Sequence, residues 1–250
     1  MKHIPTILLG LIMAFLGTGL RAQNAQIAQI VQTPDEIVNK YIDAIGGKDK
    51  LGQIRTLHTE EEITIMNNPS PSVTDIINGK AYKNQVDFSG QQVITCYTDK
   101  AGWTVNPLAG QPTPAAVPAE QLKIGQMQFD IAGPLLDYAA KGNKLSLVGT
   151  ESLGGSTVYK LKLTTADNTE MFFFIDTSTF YLSKLVMRLT AAGNPFELVV
   201  VSSNYKKTPF GYTMPFTREI SYPGLTITTE VKKVAINDQI DPAIFEMPKS

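Results

Sequence analysis

The chain has few of the residue types on which catalysis and metal binding depend. Its 250 residues include only one cysteine and two histidines. A single cysteine excludes an internal disulfide framework, and the chain has neither paired histidines at ligand spacing nor a Cys-x-x-Cys pair for zinc. Charges of the two signs almost cancel and no basic run is present, which argues against nucleic acid or an anionic membrane surface as a partner.

The few candidate catalytic groups lack the neighbours that catalysis requires. His58 lies in a predicted strand, and as a general base it would need a nucleophile and an orienting carboxylate beside it. No serine stands in a nucleophile-elbow pattern, and Cys96, also in a predicted strand, is typical of a small buried side chain. The sequence therefore predicts a protein that is not an enzyme and holds no metal or cofactor. An envelope enzyme is the alternative, and it requires His58, Glu61 and Arg218 to share one cleft.

The N-terminal residues predict export. Lys2 precedes an apolar run over residues 7–20, and Ala22 stands where a signal peptidase would cut. The run is shorter than the about 20 residues that span a bilayer, so a cleaved signal peptide over residues 1–22 is favoured over a retained anchor. Residues 23–32 are expected to form a flexible polar leader and residues 33–250 a single domain. The protein is therefore expected in the periplasm.

The folded part is predicted to open with a short amphipathic helix. The motif TPDE at 33–36 is a capping box with proline at the first helical position. Apolar residues follow at helical spacing as far as Ile45. Gly46 or Gly47 then supplies the left-handed residue that ends a helix.

Most of the remaining chain carries the period-two, β-branched and aromatic patterns of strands. Turn-forming stretches such as NNPSPS and LGGS separate these strands. About eleven strands are predicted, over residues 54–66, 73–88, 91–98, 102–106, 144–149, 156–165, 170–176, 180–191, 196–205, 212–222 and 224–236.

The middle of the chain is predicted to differ from the rest. Residues 105–120 contain four prolines and no strand pattern, which predicts a long loop. Residues 120–142 predict helical structure that Gly133-Pro134 interrupts, and we expect a hinge there.

Strands that are apolar on both faces indicate the fold class. The stretch MFFFI at 171–175 is apolar on both faces, so such strands need cover, and the helices at 34–46 and 120–142 are available to give it. About eleven antiparallel strands tend to curl rather than stay flat. The sequence therefore predicts a mostly β (α+β) fold, a single antiparallel curled sheet or half-open β-barrel, with helices lidding an apolar cavity.

Two charged residues fall in the apolar rows of predicted strands. Glu61 shares the parity of Ile63, and Arg218 stands in the aromatic row of strand 212–222. A buried charge must be paired or reach water. Either a bulge or a snorkelling arginine explains this pattern, or Arg218 is a polar anchor inside an apolar cavity. Trp103 is likewise either an ordinary core residue or a residue at the rim of the cavity.

Several stretches, taken in order, resemble a known family. They are YIDAIGGKDKLGQIRTL, DKAGWTVNPLAGQ, LSLVGTESLGGSTVYKLKL, FFFIDTSTFYLSKL, SNYKK with YTMPF, and IDPAIFEMP. Together they are similar to the outer-membrane lipoprotein-sorting proteins of Gram-negative bacteria (LolA/LolB-like), in the exported branch of the Bacteroidetes type. The resemblance covers roughly residues 33–248.

The resemblance implies a fold and a mode of action. Members are half-open antiparallel barrels around an apolar cavity that helices close, and they carry acyl chains of lipoproteins across the periplasm. Donor and acceptor membrane proteins of the envelope are the implied partners, and a monomer is expected. The best-known carriers use an arginine near the cavity mouth to keep the lid closed. Arg55 is the nearest candidate by sequence order, and Arg218 is the candidate by strand parity.

The predicted function is non-covalent binding of acyl chains of lipoproteins or lipids. Burial of the acyl chain, which contributes about 0.8 kcal/mol for each methylene removed from water, would supply the affinity. The alternative is an envelope structural or interaction module whose interior is filled by side chains. The residues predicted to line the lipid site are Ile63, Trp103, Met127, Phe129, Leu135, Phe172, Phe174, Met214, Phe216 and Arg218.

Overall fold

The computed structural model describes residues 32–191 and 193–248. In this part of the chain thirteen strands form one antiparallel, curled and unclosed sheet, so the predicted fold class is confirmed, with thirteen strands rather than about eleven. The predicted signal peptide and all of the predicted leader except Gln32 lie outside the described residues.

The elements follow one another along the chain as strands with few helices between them. The α-helices are α1 (Pro34–Ala44), α2 (Lys48–Leu51) and α3 (Ala119–Gln126). Short 3₁₀ turns occur at Pro107–Ala109, Met127–Phe129 and Pro242–Phe245. The strands are β1 (Thr56–Ile65), β2 (Asn68–Ile77), β3 (Ala81–Phe88), β4 (Gln91–Thr98), β5 (Gly102–Asn106), β6 (Gln111–Ala116), β7 (Lys144–Leu153), β8 (Ser156–Thr164), β9 (Glu170–Asp176), β10 (Leu182–Ala191), β11 (Asn194–Lys207), β12 (Thr213–Tyr222) and β13 (Leu225–Ile236).

Two meanders make up the sheet. Its order is β6-β5-β4-β3-β2-β1-β13-β12-β11-β10-β9-β8-β7, so β1 and β13 pair in the middle. The strands β6 and β7 are the two edges, although they follow each other in the sequence. The chain between them, residues 117–143, therefore runs from one edge of the sheet to the other, and we call it the crossing segment.

The first helix begins as predicted and packs on one face of the sheet. The Thr33 side chain accepts a hydrogen bond from the backbone N–H of Glu36, and the Glu36 side chain accepts one from the backbone N–H of Thr33, so the capping box is confirmed. Ile37 and Ile42 of α1 pack in one cluster with Leu161 of β8, and all three are almost fully buried.

We call the face that carries α1 the inner face. Residues that lie directly opposite each other on neighbouring strands point to the same side. The inner face can thus be traced across six strands through Phe173, Leu185, Val200, Ile220, Ile227 and Ile65.

The strand β2 was not predicted as a separate strand, because its second half was included with β3 in the single predicted strand 73–88. Its first residues were assigned to the turn NNPSPS, whereas the turn is confined to Met66 and Asn67, both with positive φ. Pro69 and Pro71 are part of β2 and pair with β1, but β2 pairs with β3 only from Ser72 onward. The two prolines therefore lie in the part of β2 that pairs only with β1. On its other side this part of β2 has no partner strand, so a proline, which lacks the N–H donor, is tolerated there.

The middle of the chain, residues 105–142, also differs from its prediction. The expected loop at 105–120 contains the edge strand β6, in which Pro112 and Pro114 are tolerated because one side of an edge strand is unpaired. The expected helical region at 120–142 is helical only through α3 and the following 3₁₀ turn, and turns occupy the rest.

The outer face of β3–β5 is covered by the end of the chain. Phe245, which is 4% exposed, packs against Ala81, Cys96 and Trp103. The indole Nε1 of Trp103 donates a hydrogen bond of 2.9 Å to the carbonyl oxygen of Phe245. Burial raises the pKa of the Cys96 thiol to about 11. Trp103 is therefore a core residue of the outer face, and Cys96 is the buried side chain that the sequence predicts.

Candidate functional site

Two residues with opposite charge meet on the inner face. Nη2 of Arg218 on β12 lies 3.3 Å from Oε1 of Glu61 on β1. The side chain of Glu61 is 4% exposed, whereas that of Arg218 is 38% exposed. Thr59 and Thr74 also donate hydrogen bonds to the Glu61 carboxylate. This carboxylate is therefore held from three sides, and the guanidinium reaches solvent.

A bulge does occur beside this pair, as one interpretation of the sequence predicts. The pairing of β1 with β13 shifts between Glu60 and Glu61, which leaves Lys232 as the extra residue on β13. The bulge does not turn Glu61 outward, because Glu61 still lies opposite Ser72 of β2 and is buried with it. The Glu61–Arg218 pair therefore lies on the inner face, next to the bulge.

Tyrosines lie around the pair. Burial is the main cause that raises the pKa of Tyr82, and the Glu61 carboxylate raises it further while Arg218 opposes this. Burial likewise raises the pKa values of Tyr205 and Tyr212, and both groups also feel the charge of Arg218. These hydroxyls stay protonated at neutral pH and can act as hydrogen-bond donors.

The inner face of β1–β5 carries a polar region beside apolar residues such as Leu57 and Ile76. The amide nitrogen of Asn84 donates to the hydroxyls of Ser72 at 2.8 Å and Thr74 at 2.9 Å. The residues that share this polar region by their register are Thr59, Glu61, Ser70, Ser72, Thr74, Asn84, Thr95 and Thr104.

The crossing segment lies over the same end of the inner face. Phe129 packs with Leu57 and Ile76, and its carbonyl oxygen accepts a hydrogen bond of 2.7 Å from the backbone of Gly79. Gly125 of α3 sits directly on the Tyr97 ring, since a Cβ at that position would lie 2.5 Å from ring atoms. The segment therefore covers the inner face closely at β2–β4.

Exposed polar contacts join the crossing segment to neighbouring elements. Lys123 of α3 pairs with Asp167 in the β8–β9 turn at 2.6 Å, and Asp137 pairs with Lys48 of α2. The Tyr138 hydroxyl donates to Asp35 of α1 at 2.6 Å. Exposed ion pairs contribute at most about 1 kcal/mol each, so the buried side chains of Phe129 and Leu135 hold the segment more strongly than these contacts do.

Acidification from pH 4 to pH 2 is expected to release α3 from the β8–β9 turn. The pKa of Asp167 is lowered from its ordinary value of 3.8 to about 2, first by the hydrogen bond from Lys123 and then by that from Thr165. A carboxyl whose pKa is lowered by folding stabilises the fold above its ordinary pKa, and this is lost as the pH falls through about 2. Hydrogen exchange of the α3 amides, corrected for intrinsic rates, should show the loss.

The variant Asp167→Asn isolates this contribution. It should exchange faster than the wild type at pH 5 and show a smaller additional increase at pH 2. If the exchange rates of Asp167→Asn rose between pH 5 and pH 2 as much as those of the wild type, another carboxyl would be responsible.

The structure divides the residues predicted to line the lipid site between the two faces. Ile63, Phe129, Leu135, Met127 and Arg218 lie on or against the inner face. On β12, Met214 and Phe216 share the row of Arg218 by strand alternation, with Met214 buried and Phe216 half-buried.

The other three predicted residues lie on the outer face. Trp103 packs against Phe245. Phe172 and Phe174 pack with Val186 on the side of β9 opposite Phe173. Their rings are covered by cations, with Lys184 Nζ 5.1 Å from the centre of Phe174 and Arg188 4.8 Å from that of Phe172.

The three residues on which the envelope-enzyme alternative depends are not brought together. The Nδ1 atom of His58 lies 2.7 Å from Asp75 on the outer face, in a groove of about 390 Å³, whereas Glu61 and Arg218 are on the inner face. The three residues therefore do not share a cleft. Over residues 32–191 and 193–248 no group of three or more His, Cys, Asp or Glu side chains is placed to hold a metal ion. No helix within these residues is both long and apolar enough to cross a membrane.

Comparison with known proteins supports the fold. No family model matches the chain, and no curated protein matches its sequence. A DUF1329 family protein of Desulfovibrio piger superposes with a TM-score of 0.56 at 11% identity, covering 86% of this chain and 98% of that one. A LolA superfamily protein of Nitrosomonas europaea gives a TM-score of 0.55 at 12% identity, covering 88% and 99%. A domain assigned to outer membrane lipoprotein sorting from Vibrio parahaemolyticus gives 0.52 at 12% identity, covering 84% and 94%.

Residues 32–191 and 193–248 thus form an open antiparallel half-barrel with α1 and α3 on the inner face of its sheet. This is the fold of the LolA superfamily, and the resemblance to outer-membrane lipoprotein-sorting proteins is confirmed at the level of the fold.

Proposed function

We propose that this protein is an exported, non-enzymatic carrier that binds acyl chains of lipids or lipoproteins on the inner face of its sheet, in the periplasm. The observation that carries the proposal is the crossing segment, which runs from edge to edge over a curled sheet and packs on it through apolar side chains. An acyl chain would lie between this segment and the sheet, where Phe129, Ile131 and Tyr97 form an apolar surface.

The attachment of the crossing segment suits release and closure. Its contacts with α1, α2 and the β8–β9 turn include exposed polar pairs. Each such pair is weak, whereas each methylene taken from water contributes about 0.8 kcal/mol. An acyl chain with many methylenes can therefore offset the loss of these pairs together with the loss of the contacts of Phe129 and Leu135, which are 6% and 1% exposed.

The fold of the comparison proteins supports this proposal. One of them is assigned to outer membrane lipoprotein sorting, and this chain covers 94% of it. Lys2, the apolar run and Ala22 support export with cleavage near Ala22. Donor and acceptor proteins of the envelope are the proposed partners of the carrier.

The alternative, a structural or interaction module with a filled interior, has one observation in its favour. Leu161, Leu163 and Ile175 under α1 are all 0% exposed, so this half of the inner face is already occupied by α1. The two functions differ in whether an amphiphile binds over the remaining half.

Native mass spectrometry of the protein purified from its own envelope is the test. We expect a bound acyl lipid or acylated peptide at one per chain, identified by organic extraction. The variant Thr95→Trp places a bulky ring on the half-buried inner face of β4 and should lower the occupancy several-fold, because the ring takes the space of the chain.

Thr228→Trp is the matched control, since Thr228 is a half-buried threonine on the outer face of β13. It should keep the wild-type occupancy. A protein that stays unliganded after incubation with phospholipid and lipoprotein would contradict the carrier and favour the interaction module.

A further inference from the structure

The inner face has two chemically different halves. Under α1 it is closed and apolar, with Leu161, Leu163 and Ile175 fully buried. Over β1–β5 it carries hydroxyl, amide and tyrosine side chains, of which Thr95 and Thr104 are only half-buried. The part of the inner face that a ligand can reach is therefore not a bare hydrocarbon wall.

Arg218 is oriented so that most of its donors remain available. Within the described part of the chain its guanidinium is hydrogen-bonded only to Glu61, through Nη2. A guanidinium has five N–H groups in a planar fork. Because the side chain is 38% exposed, the remaining edge of the fork faces accessible space.

Glu61 is kept from direct contact with a ligand, and its charge is offset by three hydrogen-bond donors. Its carboxylate accepts hydrogen bonds from Thr59, Thr74 and Arg218, and only 4% of its side chain is exposed. Ser202 and Thr229 lie opposite Arg218 on the neighbouring strands, so the side chains beside it carry neutral hydroxyls rather than further carboxylates. The donors that a ligand meets here are therefore the N–H groups of Arg218 that do not bind Glu61.

We propose that this polar half of the inner face binds an anionic head group, so that the ligand is an amphiphile with a phosphate or carboxylate at the end of its acyl chain. Arg218 binds the anion with the free edge of its guanidinium. Glu61 is the positioning residue that fixes the other edge. The proposal rests on the carrier function above, and it adds the chemical class of the head group.

Titration calorimetry with amphiphiles of equal chain length below their critical micelle concentration tests it. The probes are dodecyl phosphate, uncharged dodecyl maltoside and cationic dodecyltrimethylammonium. We expect the wild type to bind dodecyl phosphate about ten- to hundred-fold more tightly than the maltoside, as a hydrogen bond to a charged group provides. Inorganic phosphate alone, added in excess, should compete only weakly, because it lacks the chain.

The double variant E61Q/R218Q removes both charges together and leaves no unpaired carboxylate. It should bind the maltoside like the wild type and lose the preference for dodecyl phosphate. R188Q, which removes an arginine paired with glutamates on the outer face, should keep that preference. Equal affinities of the wild type for dodecyl phosphate and maltoside, or a preference that persists in E61Q/R218Q, would overturn the head-group proposal and leave the carrier intact. Failure of all three amphiphiles to bind would instead contradict the carrier function.

Discussion

Replacing Arg218 with alanine is expected to lower the free energy of unfolding by about 3 kcal/mol, because it leaves a buried carboxylate without its cation. Glu61 is 4% exposed and would retain only the hydrogen bonds of Thr59 and Thr74. Urea denaturation followed by circular dichroism measures the change as a lower midpoint at unchanged slope.

Arg188→Ala is the control for this loss. Arg188 pairs with Glu170 and Glu197, but all three side chains are at least 32% exposed. An exposed pair contributes at most about 1 kcal/mol, so the effect should be clearly smaller. Equal losses in the two variants would show that Glu61 finds water or another partner when Arg218 is removed.

Replacing Phe245 with alanine is expected to cost about 3–5 kcal/mol, the range for a large aromatic side chain removed from a core. The ring fills the space between Ala81, Cys96 and Trp103, and the wall is formed by strand residues that cannot move inward together. Thermal and urea denaturation measure the loss, and a change in the fluorescence of Trp103, the only tryptophan, reports the local opening.

Met247→Ala provides the comparison, because Met247 lies two residues further along and is 47% exposed. The free energy of unfolding of Met247→Ala should stay within about 0.5 kcal/mol of the wild-type value. A small effect of Phe245→Ala as well would mean that the end of the chain is not a structural part of the sheet.

The two charged residues of the inner face could be found in the sequence, because the alternation of side chains can be followed within a single strand. Glu61 shares the parity of Leu57, Ile63 and Ile65, and Arg218 stands in a row of aromatic and aliphatic residues, so each charge is unusual within its own strand. That the two residues pair with each other was not predictable. It depends on β1 and β12 both flanking β13, which is a property of the sheet order.

The polar half of the inner face was missed for a different reason. It requires β2 and β3 to be separate strands, and Pro69 and Pro71 made the start of β2 resemble a turn. Once β2 is recognised, the spacing of Ser70, Ser72 and Thr74 gives the polar row directly.

The assignment of Phe172 and Phe174 to the lining shows where alternation fails. The stretch 171–175 is apolar on both faces, so parity cannot say which face is the interior. On the outer face, cations of β8 and β10 lie over the two rings and cover them without a helix. Aliphatic stems of lysine and arginine can shield apolar surface in this way, and the sequence alone does not distinguish them from a lid.

The pairing of β1 with β13 places the first and last strands at the centre of the sheet. Because the chain emerges N-terminus first, the whole meander β1–β6 is available before β13, and β1 then presents an unpaired edge. Such an edge is a site for pairing with other chains, and contacts between residues this far apart in the sequence form slowly. Glu60 and Glu62 alternate along β1 on its outer face and keep this temporary edge charged, which disfavours aggregation until Lys233 and Lys232 arrive to pair with them.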